Sequence, residues 1–443
     1  YCSDSRAASN AIGEARPLSE FAGTKAAAAY RERNPGARDT DLVYACNRAL
    51  PMGDGNAVEF VQSAHLRLLQ DFGVAQESEL LEYRQPVPRS AVWEAVMIDD
   101  HSVVAQVPKA AVRTSTDRDS EILACADAAY KSDGLSPKPS KRVRDAEDFQ
   151  TMGAAILGSH HFVSASIPSI LNTLAVTEWI LRNGAATTAL WEGSVGLWVN
   201  ILLYAREGFS LVRRMFSEAN DIEPEKIFRP SLRALDELRV LATFAPFFGT
   251  DISAQVEPTI TAVDASSRVA AVVSATVDKE VARELWRHRS RRATSRGALQ
   301  SKPPEELAAA AGGPEERAIA AAVGDLVDDD DEVSDCAPTW VAELADGLAW
   351  TCDVQFRVSQ TEHINLKEGR PLRSVTRRAL ARCVDGPRRH LTLFDSSVNV
   401  GARARGRSPS PRLNALQRDT APEQLVLGLQ VGVIKVETEF NPA

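Results

Sequence analysis

The segment Val96-Met97-Ile98-Asp99-Asp100-His101 places two adjacent carboxylates, here called the acid pair, between two apolar runs. Residues 95–98 lead into the acid pair, and residues 103–107 lead away from it. Two short apolar runs around a polar bend predict a β-hairpin with the acids at its tip. Adjacent carboxylates repel each other unless a cation lies between them. We therefore expect a divalent-cation site at this tip.

Two acids in the C-terminal half follow predicted strands. Residues 258–266 read as a strand that ends near Asp264, and residues 269–277 supply an apolar antiparallel partner. Residues 390–397 contain a second, buried strand that ends at Asp395. Taken alone, each acid is more typical of a cap or an exposed surface. Their shared position at strand ends favours a catalytic role.

A third acid, Glu368, follows the segment 363–367. Apolar residues then recur at helical spacing, which predicts a helix with Glu368 in its first turn and His363 at the turn before it. An acid in the first turn also interacts favourably with the helix N-terminus. We call Asp264, Glu368 and Asp395 the acid trio. Carboxylate oxygens suit magnesium, and a pair of such ions catalyses phosphoryl transfer.

The hairpin with Asp99 and Asp100 resembles the catalytic Tyr-x-Asp-Asp segment of reverse transcriptases, with Met97 at the tyrosine position. Upstream, residues 49–57 contain Leu-Pro-Met-Gly and precede an apolar-periodic run over 58–69. Both are similar to the Leu-Pro-x-Gly loop and helix of that family. The resemblance implies nucleotide or primer contacts from Pro51, Gly53 and Asn56.

Two downstream segments resemble the same family in the same order. Gly134, Lys138 and Lys141 resemble its glycine-lysine turn, and residues 149–154 resemble its Phe-x-x-x-Gly primer-contacting hairpin. The resemblance implies that Lys138 and Gly153 contact the primer. From the residues alone, Gly153 is more typical of a tight turn than of substrate contact.

The family takes its first metal-binding aspartate from an earlier strand, with an aromatic residue five positions later and an apolar residue eight positions later. Asp4 is the candidate, and Ile12 meets the second requirement. Ser9 stands where the family has the aromatic residue that excludes a ribose 2′-hydroxyl, so the chain departs from the pattern there. His101, next to the acid pair, suits either a structural role or a place near the primer.

The acid trio resembles that of retroelement ribonuclease H, whose acids come from the first strand, first helix and fourth strand of a small mixed sheet. Residues 406–408, Gly-Arg-Ser, resemble a turn of that family. The fourth acid of the family follows Asn-Pro-Ala, and this sequence stops at those residues, 441–443. The resemblance implies an aspartate directly after Ala443 and fingers before Tyr1, so we expect a fragment of a polyprotein.

The resemblance implies two Mg²⁺ or Mn²⁺ ions per active site. Asp4, Asp99 and Asp100 would hold one pair for DNA synthesis from a DNA primer, an RNA template and dNTPs. The acid trio would hold the other pair, which directs water onto the RNA strand of an RNA–DNA hybrid. We therefore expect a retrotransposon RNA-directed DNA polymerase with ribonuclease H activity. The alternatives are a catalytically decayed or domesticated relative that binds nucleic acid, and a scaffold whose acids never converge.

The net charge of −9 is unevenly distributed. Residues 367–412 contain twelve basic side chains and three acidic ones, a local charge of +9. Such a patch suits phosphate contacts. The acidic run 328–332 lies in a Pro-, Ala- and Gly-rich stretch over about 290–335, which predicts a disordered insertion rather than a calcium site. The side chains expected to bind nucleic acid are Arg403, Arg405 and Arg407.

These landmarks predict a multidomain α+β protein. The predicted domains are an incomplete reverse-transcriptase palm over 1–157 with a polar loop over 113–120, a helical thumb or connection over 158–257, and a ribonuclease H-like mixed α/β domain over 258–443. Two apolar helix faces are expected: Ile167, Ile170, Leu171 and Leu174, then Leu197, Ile201, Leu202 and Ala205. Three tryptophans could stack on bases but are more typical of a core: Trp179, Trp191 and Trp198.

Six scattered cysteines include no Cys-x-x-Cys pair, so the sequence indicates neither a zinc knuckle nor a disulfide framework. His160 and His161 are adjacent and point in different directions, which favours loop residues over zinc ligands. The longest apolar stretch, about 196–205, is too short to span a bilayer, and we identify no signal peptide. We expect an intracellular protein, cytoplasmic or nuclear, with no membrane partner. The sequence gives no signal for the oligomeric state.

Overall fold

The computed structural model describes residues 11–46, 57–82, 85–108, 118–135, 138–139, 142–218, 222–223, 225–290 and 338–443. Contacts divide the chain into two compact units, the first built on 1–81 with 88–142 and the second on 82–87 with 143–443. Both units mix helices and strands, which agrees with the predicted α+β class. Within the described ranges, every helix is too short or too polar to cross a membrane.

The strands of these described ranges are β1 (Ala11–Pro17), β2 (Leu42–Cys46), β3 (Val92–Met97), β4 (Asp100–Ala105), β5 (Asp148–Thr151), β6 (Ala154–Leu157), β7 (Phe162–Ala165), β8 (Ala186–Thr187), β9 (Ile227–Phe228), β10 (Gly249–Asp251), β11 (Gln255–Ala265), β12 (Val269–Thr276), β13 (Thr351–Arg357), β14 (Arg388–Phe394) and β15 (Leu429–Lys435). The α-helices are α1 (Lys25–Arg33), α2 (Ala57–Asp71), α3 (Arg118–Ser132), α4 (Ile167–Asn183), α5 (Thr188–Leu202), α6 (Leu232–Phe244), α7 (Lys279–Arg287), α8 (Thr339–Gly347), α9 (Ile364–Leu380), α10 (Ser397–Arg405), α11 (Pro411–Arg418) and α12 (Ala421–Leu427).

The first unit contains two antiparallel strand pairs, β1 with β2 and β3 with β4. The predicted hairpin around the acid pair and the helix predicted over 58–69 are confirmed by β3–β4 and by α2. The polar loop predicted over 113–120 is wrong at its end, because α3 begins at Arg118 with Asp119 and Glu121 in its first turn. Acids there stabilise a helix N-terminus. The unit's core is small: Leu69, Val74, Ala75, Leu80, Ile122 and Ala126.

The helical part of the second unit has a large apolar core. Trp191 and Trp198 are buried in it, and their Nε1–H groups donate to Met215 O at 3.0 Å and to Thr177 Oγ1 at 2.9 Å. The core interpretation is confirmed for these two tryptophans, whereas Trp179 is 52% exposed. The predicted face of α5 is buried at Ile201 and Leu202, where the helix ends, and Ala205 is buried beyond that end.

The predicted face of α4 is only half buried. Ile170 and Leu174 pack against the core, but Ile167 and Leu171 are 58% and 59% exposed. The side of α4 that meets the core runs instead through the fully buried Thr177.

The predicted domain boundaries differ from the observed division. Residues 148–157 form β5 and β6, which belong to a four-stranded antiparallel sheet of the second unit in the order β10-β7-β6-β5. The first unit therefore does not contain this hairpin, which the predicted domain over 1–157 would have included. The boundary predicted at 257–258 falls inside the eleven-residue β11. The insertion predicted over 290–335 lies, beyond Ser290, outside the described residues.

A five-stranded mixed sheet is built from strands between Gln255 and Lys435, in the order β13-β12-β11-β14-β15. β11 pairs antiparallel with β12 and parallel with β14, and β14 pairs parallel with β15. Helices α7 and α8 cover one face, and α9 and α10 cover the other. Because β11 is covered on both faces, Ile260 to Val263 are all buried, as is typical of a central strand. The strands predicted over 258–266 and 269–277 are confirmed by β11 and β12. The strand predicted over 390–397 is confirmed only as far as Phe394, because Ser397 begins α10.

Candidate functional sites

The acid pair lies at the tip of the β3–β4 hairpin. Met97 pairs with Asp100, which leaves Ile98 and Asp99 as a two-residue loop. Ile98 has φ 54°, the positive value at the first loop position that type II′ turns require. A β-branched residue in this conformation costs about 1–3 kcal/mol, so the surrounding structure must hold it there. Both acids are exposed to solvent.

Helix α2 holds the tip through two polar side chains. Gln62 donates to Val96 O at 3.0 Å and accepts from the Ile98 N–H at 2.6 Å. His65 Nδ1 lies 2.8 Å from Ile98 O, and its Nε2 lies 2.9 Å from the Tyr130 hydroxyl. Because a carbonyl only accepts, Nδ1 carries the proton and Nε2 accepts from Tyr130.

We call Gln62, His65 and Tyr130 the brace of the hairpin. Burial determines the protonation states of its two titratable members, His65 and Tyr130. It lowers the pKa of His65, which favours the neutral imidazole that the hydrogen bonds require. Burial also raises the pKa of Tyr130 to about 12, so its hydroxyl remains a donor. The sequence did not identify this brace, since its three side chains are brought to the hairpin by two helices.

His101 is structural rather than close to a primer. Its Nε2 lies 2.9 Å from Glu94 Oε2, and both side chains are almost fully buried. The other Glu94 oxygen accepts from the Ala75 N–H at 2.9 Å. Glu94 is therefore occupied within the core and is not available to a cation at the tip.

Several residues predicted to bind substrate lie outside the described part of the chain: Asp4, Pro51, Gly53 and Asn56. Lys138 is described and exposed. Met152 and Gly153 form the β5–β6 loop with φ 48° and 80°, the pattern of a type I′ turn. The turn role of Gly153 is confirmed.

In the acid trio, two acids lie at the same ends of neighbouring strands. Asp264 is the penultimate residue of β11, and Asp395 directly follows β14. The parallel register pairs Val263 with Phe394, so the next residues along the two strands, Asp264 and Asp395, emerge side by side. This adjacency depends on strand pairing between remote parts of the chain.

Glu368 comes from α9, which packs on the same face of the sheet as α10. The helix begins at Ile364, so Glu368 is its fifth residue and lies in the second turn. The prediction of a first-turn position is wrong, because His363 caps the helix. Its Nδ1 accepts from the Asn365 N–H at 3.2 Å, which confirms the positioning role predicted for His363.

The three carboxylates share one electrostatic environment. Burial raises the pKa of Asp264, and the nearby charge of Asp395 raises it further. Burial also raises the pKa of Glu368, to which Asp395 and Asp264 both contribute. Asp395 Oδ1 is buried and has no hydrogen-bond partner within the described residues. A buried, unpartnered carboxylate oxygen is costly, and a bound cation would offset this cost.

The donor chemistry of the acid trio fits a hard divalent ion such as Mg²⁺ or Mn²⁺. All three side chains offer carboxylate oxygens, and Asp395 Oδ1 has no competing partner in the described part of the protein. The three carboxylates are farther apart than the ligands of a fully coordinated metal ion. Among the residues that the structure describes, no three His, Cys, Asp or Glu side chains are grouped tightly enough to enclose an ion.

Five of the twelve basic residues in the predicted patch are paired with acids from outside the 367–412 window. The bonded arginines are Arg370 with Glu362, Arg373 and Arg377 with Asp419, Arg378 with Asp353, and Arg382 with Glu257. Lys367 is buried, and its Nζ donates to Ser267 O at 3.0 Å. A count of charge along the chain missed these pairs, because their acidic partners are remote in sequence.

The three arginines predicted to bind nucleic acid have different environments. Arg403 is buried and donates to Val431 O and Gln424 Oε1, so it is not available to a phosphate. Arg405 is half-buried and donates to Gly401 O at 3.1 Å. Arg407 is exposed, with its guanidinium 4.4 Å from the centre of the Phe216 ring.

A buried polar network, which the sequence did not predict, links β11 to β14. Glu257 accepts from Arg382 at 2.8 Å and lies 2.6 Å from His390 Nδ1. His390 Nε2 lies 3.1 Å from Thr261 Oγ1, which is 3.0 Å from Thr392 Oγ1. Burial opposes ionisation of Glu257, but His390 and Arg382 outweigh it and hold its pKa at about 2. This network bridges the two strands whose ends carry two of the trio.

No protein-family model and no curated protein matches the chain. Similar solved structures include two foamy viral protease-reverse transcriptase complexes. One, designated dRH, contains ds DNA; its TM-score is 0.35 at 10% identity, covering 89% of this chain and 51% of that one. The other contains an RNA/DNA hybrid; its TM-score is 0.33 at 12% identity, covering 88% and 60%. The chain thus spans about half to three fifths of their lengths, and TM-scores at this level carry no argument about fold or activity.

Proposed function

We propose that the second unit hydrolyses the RNA strand of RNA–DNA hybrids, with Asp264, Glu368 and Asp395 as its metal-binding carboxylates. The observation that supports this proposal is the emergence of Asp264 and Asp395 side by side from parallel strands, within electrostatic reach of Glu368. Half-buried carboxylates that raise each other's pKa are costly for folding, as is the unpartnered oxygen Asp395 Oδ1 within the described residues, and such groups are characteristic of functional sites.

The residues of the trio have separate roles in this proposal. Asp264 and Asp395 are fixed by strand register, and Glu368 approaches from a helix on the same face. Divalent ions bound there would supply the activated water and the charge stabilisation for cleavage of the phosphodiester. Recognition of the RNA strand would depend on hybrid shape and 2′-hydroxyl groups. Arg407 is the exposed arginine best suited to a phosphate contact, since its guanidinium is held over Phe216.

The test is cleavage of a labelled RNA–DNA hybrid by the 443-residue chain with Mg²⁺ or Mn²⁺. We expect Asp264→Asn to reduce the rate by more than about 100-fold, because it removes a ligand charge. Asp278→Asn is the matched control, since Asp278 is exposed and lies outside the trio. Binding of the hybrid without cleavage by the unsubstituted chain would reject hydrolysis and favour a nucleic-acid-binding relative. The loose spacing of the acids is the observation that favours this second reading.

We further propose that the first unit catalyses RNA-directed DNA synthesis at the acid pair. Support comes from the exposure of Asp99 and Asp100 on a loop that Gln62 and His65 hold in a strained conformation. Asp4 would supply the third carboxylate. The experiment is primer extension on an RNA template with dNTPs, for which we expect Asp99→Asn to abolish synthesis. Unchanged extension by Asp99→Asn would reject this role.

A further inference from the structure

We propose that Asn399 is a positioning residue that fixes the carboxylate of Glu368 for divalent-cation binding. This inference rests on the proposed hydrolytic function and extends it to a residue outside the acid trio. Asn399 is the third residue of α10, four positions after Asp395, and is only 2% exposed.

The carboxamide of Asn399 contacts Glu368 directly. Its Nδ2 donates to Glu368 Oε2 at 3.3 Å, to Asn365 O at 3.0 Å and to Ser396 Oγ at 3.0 Å. A backbone carbonyl and a carboxylate only accept, so the nitrogen rather than the oxygen of the amide faces them. The amide therefore joins α9, which carries Glu368, to the start of α10.

A second donor reinforces this arrangement. Ser396, whose Oγ accepts from Asn399 Nδ2 at 3.0 Å, also bonds the Glu368 side chain. Ser396 directly follows Asp395. The residues that hold Glu368 are thus fixed to the same strand end that presents Asp395, so two members of the trio are positioned by one structural element.

The contact between Asn399 and Glu368 depends on close packing of α9 against its neighbours at Gly369. A Cβ built on Gly369 would lie 3.2 Å from Asn399 Oδ1 and 3.0 Å from a methyl group of Leu413. A larger residue next to Glu368 would therefore push Asn399 away. Glu has a flexible side chain, and a buried donor on one oxygen restricts its rotamers before a cation binds. Such outer contacts typically change metal affinity by about 10- to 100-fold.

The test measures Mn²⁺ binding to the full 443-residue chain by electron paramagnetic resonance, alongside hybrid cleavage as a function of Mg²⁺ concentration. We expect Asn399→Leu, which is nearly isosteric, to raise the Mn²⁺ dissociation constant and the half-saturating Mg²⁺ concentration by about tenfold. The matched control is Asn414→Leu. Asn414 is also buried and bonded, to Ser210 O and the Ser408 N–H, but it contacts none of the trio, so metal binding should not change.

Equal Mn²⁺ affinities for Asn399→Leu and the unsubstituted chain would overturn the inference while leaving the proposed hydrolysis intact. A parallel loss in Asn414→Leu would also overturn it, because the effect would then be general destabilisation. If thermal unfolding shows that Asn399→Leu does not fold, Asn399→Ala with its own control Asn414→Ala provides the same comparison. Failure of the unsubstituted chain to bind Mn²⁺ or cut the hybrid would instead reject the proposed function, and this inference with it.

Discussion

The acid pair and the acid trio differ in how the chain brings carboxylates together. Asp99 and Asp100 are contiguous, exposed, and carried by one hairpin whose tip α2 holds. The trio comes from two strands and a helix, is half-buried, and depends on the register between β11 and β14. The first site is specified mainly by local sequence and the second by tertiary pairing. Substitutions in a remote core should therefore affect the trio more than the pair.

We expect the largest effect from the removal of Glu257, the acid of the buried network. Glu257→Ala leaves Arg382 and His390 without their partner, and we expect the free energy of unfolding of the second unit to fall by about 3–5 kcal/mol. Denaturant unfolding measures the change. The control Glu280→Ala removes an exposed ion pair and should cost less than about 1 kcal/mol. Equal effects from the two substitutions would show that the network does not secure the strands.

A smaller effect is expected when the brace of the hairpin is removed. Gln62→Leu deprives the Ile98 N–H and Val96 O of their partners, which should cost about 1–3 kcal/mol in the first unit. Hydrogen exchange at the Ile98 amide should accelerate, and hybrid cleavage by the second unit should not change. Gln70→Leu on the exposed side of α2 is the control. An unaltered exchange rate at Ile98 would contradict the assignment of the brace.

The ionised carboxylates of the trio should lower the stability of the fold. The pH dependence of Tm tests whether this contribution is destabilising. Asp264 has a raised pKa in the folded state, so its ionised form destabilises the fold above the unfolded pKa of 3.8. Asp264→Asn should therefore raise Tm at pH 7, with the gain disappearing as pH falls below about 4. Mg²⁺ should raise the Tm of the unsubstituted chain but not that of the variant. A lower Tm for Asp264→Asn at pH 7 would contradict this interpretation.

We expect the smallest effect from substitution of an arginine in the predicted basic patch. The exposed Arg407 and the buried Arg403 should respond differently. Arg407→Ala should weaken binding of an RNA–DNA hybrid by a few-fold and reduce the salt slope by about one. Arg403→Met should lower stability while leaving the salt slope unchanged, because Arg403 is bonded inside the fold. Binding titrations at several salt concentrations measure the affinity and the salt slope of each variant, with Arg283→Ala as the exposed control. A change in slope for Arg403→Met alone would reverse the assignment.

The sequence predicted those features that depend on short segments. Short apolar runs located β3, β4, β11, β12 and β14, and the acids at their ends followed directly. The Phe149 hairpin was also located, but not its membership of the second unit, because that depends on its pairing with β7. Local sequence patterns therefore identify a strand but do not show which other strand it pairs with.

The sequence did not predict contacts between remote residues. The basic patch was overestimated because its arginines are paired with Glu257, Asp353 and Asp419, which are distant along the chain. Asn399 gave no signal, since a buried amide bonded to a carboxylate looks like any polar residue in a helix. A polar residue in an otherwise small and apolar helix segment was the one feature that could have marked it.

The parallel pairing of β11 with β14 has a consequence for folding kinetics. Thr261 and Thr392, which meet across this pair, are 131 positions apart in the chain. Closing so long a loop costs conformational entropy before any contact compensates for it, so such pairings form slowly. During synthesis the hairpin of the first unit can form while the ribosome is still translating the second unit, whereas the trio must wait until β14 has emerged. Refolding should therefore restore the native hairpin before any hydrolytic activity.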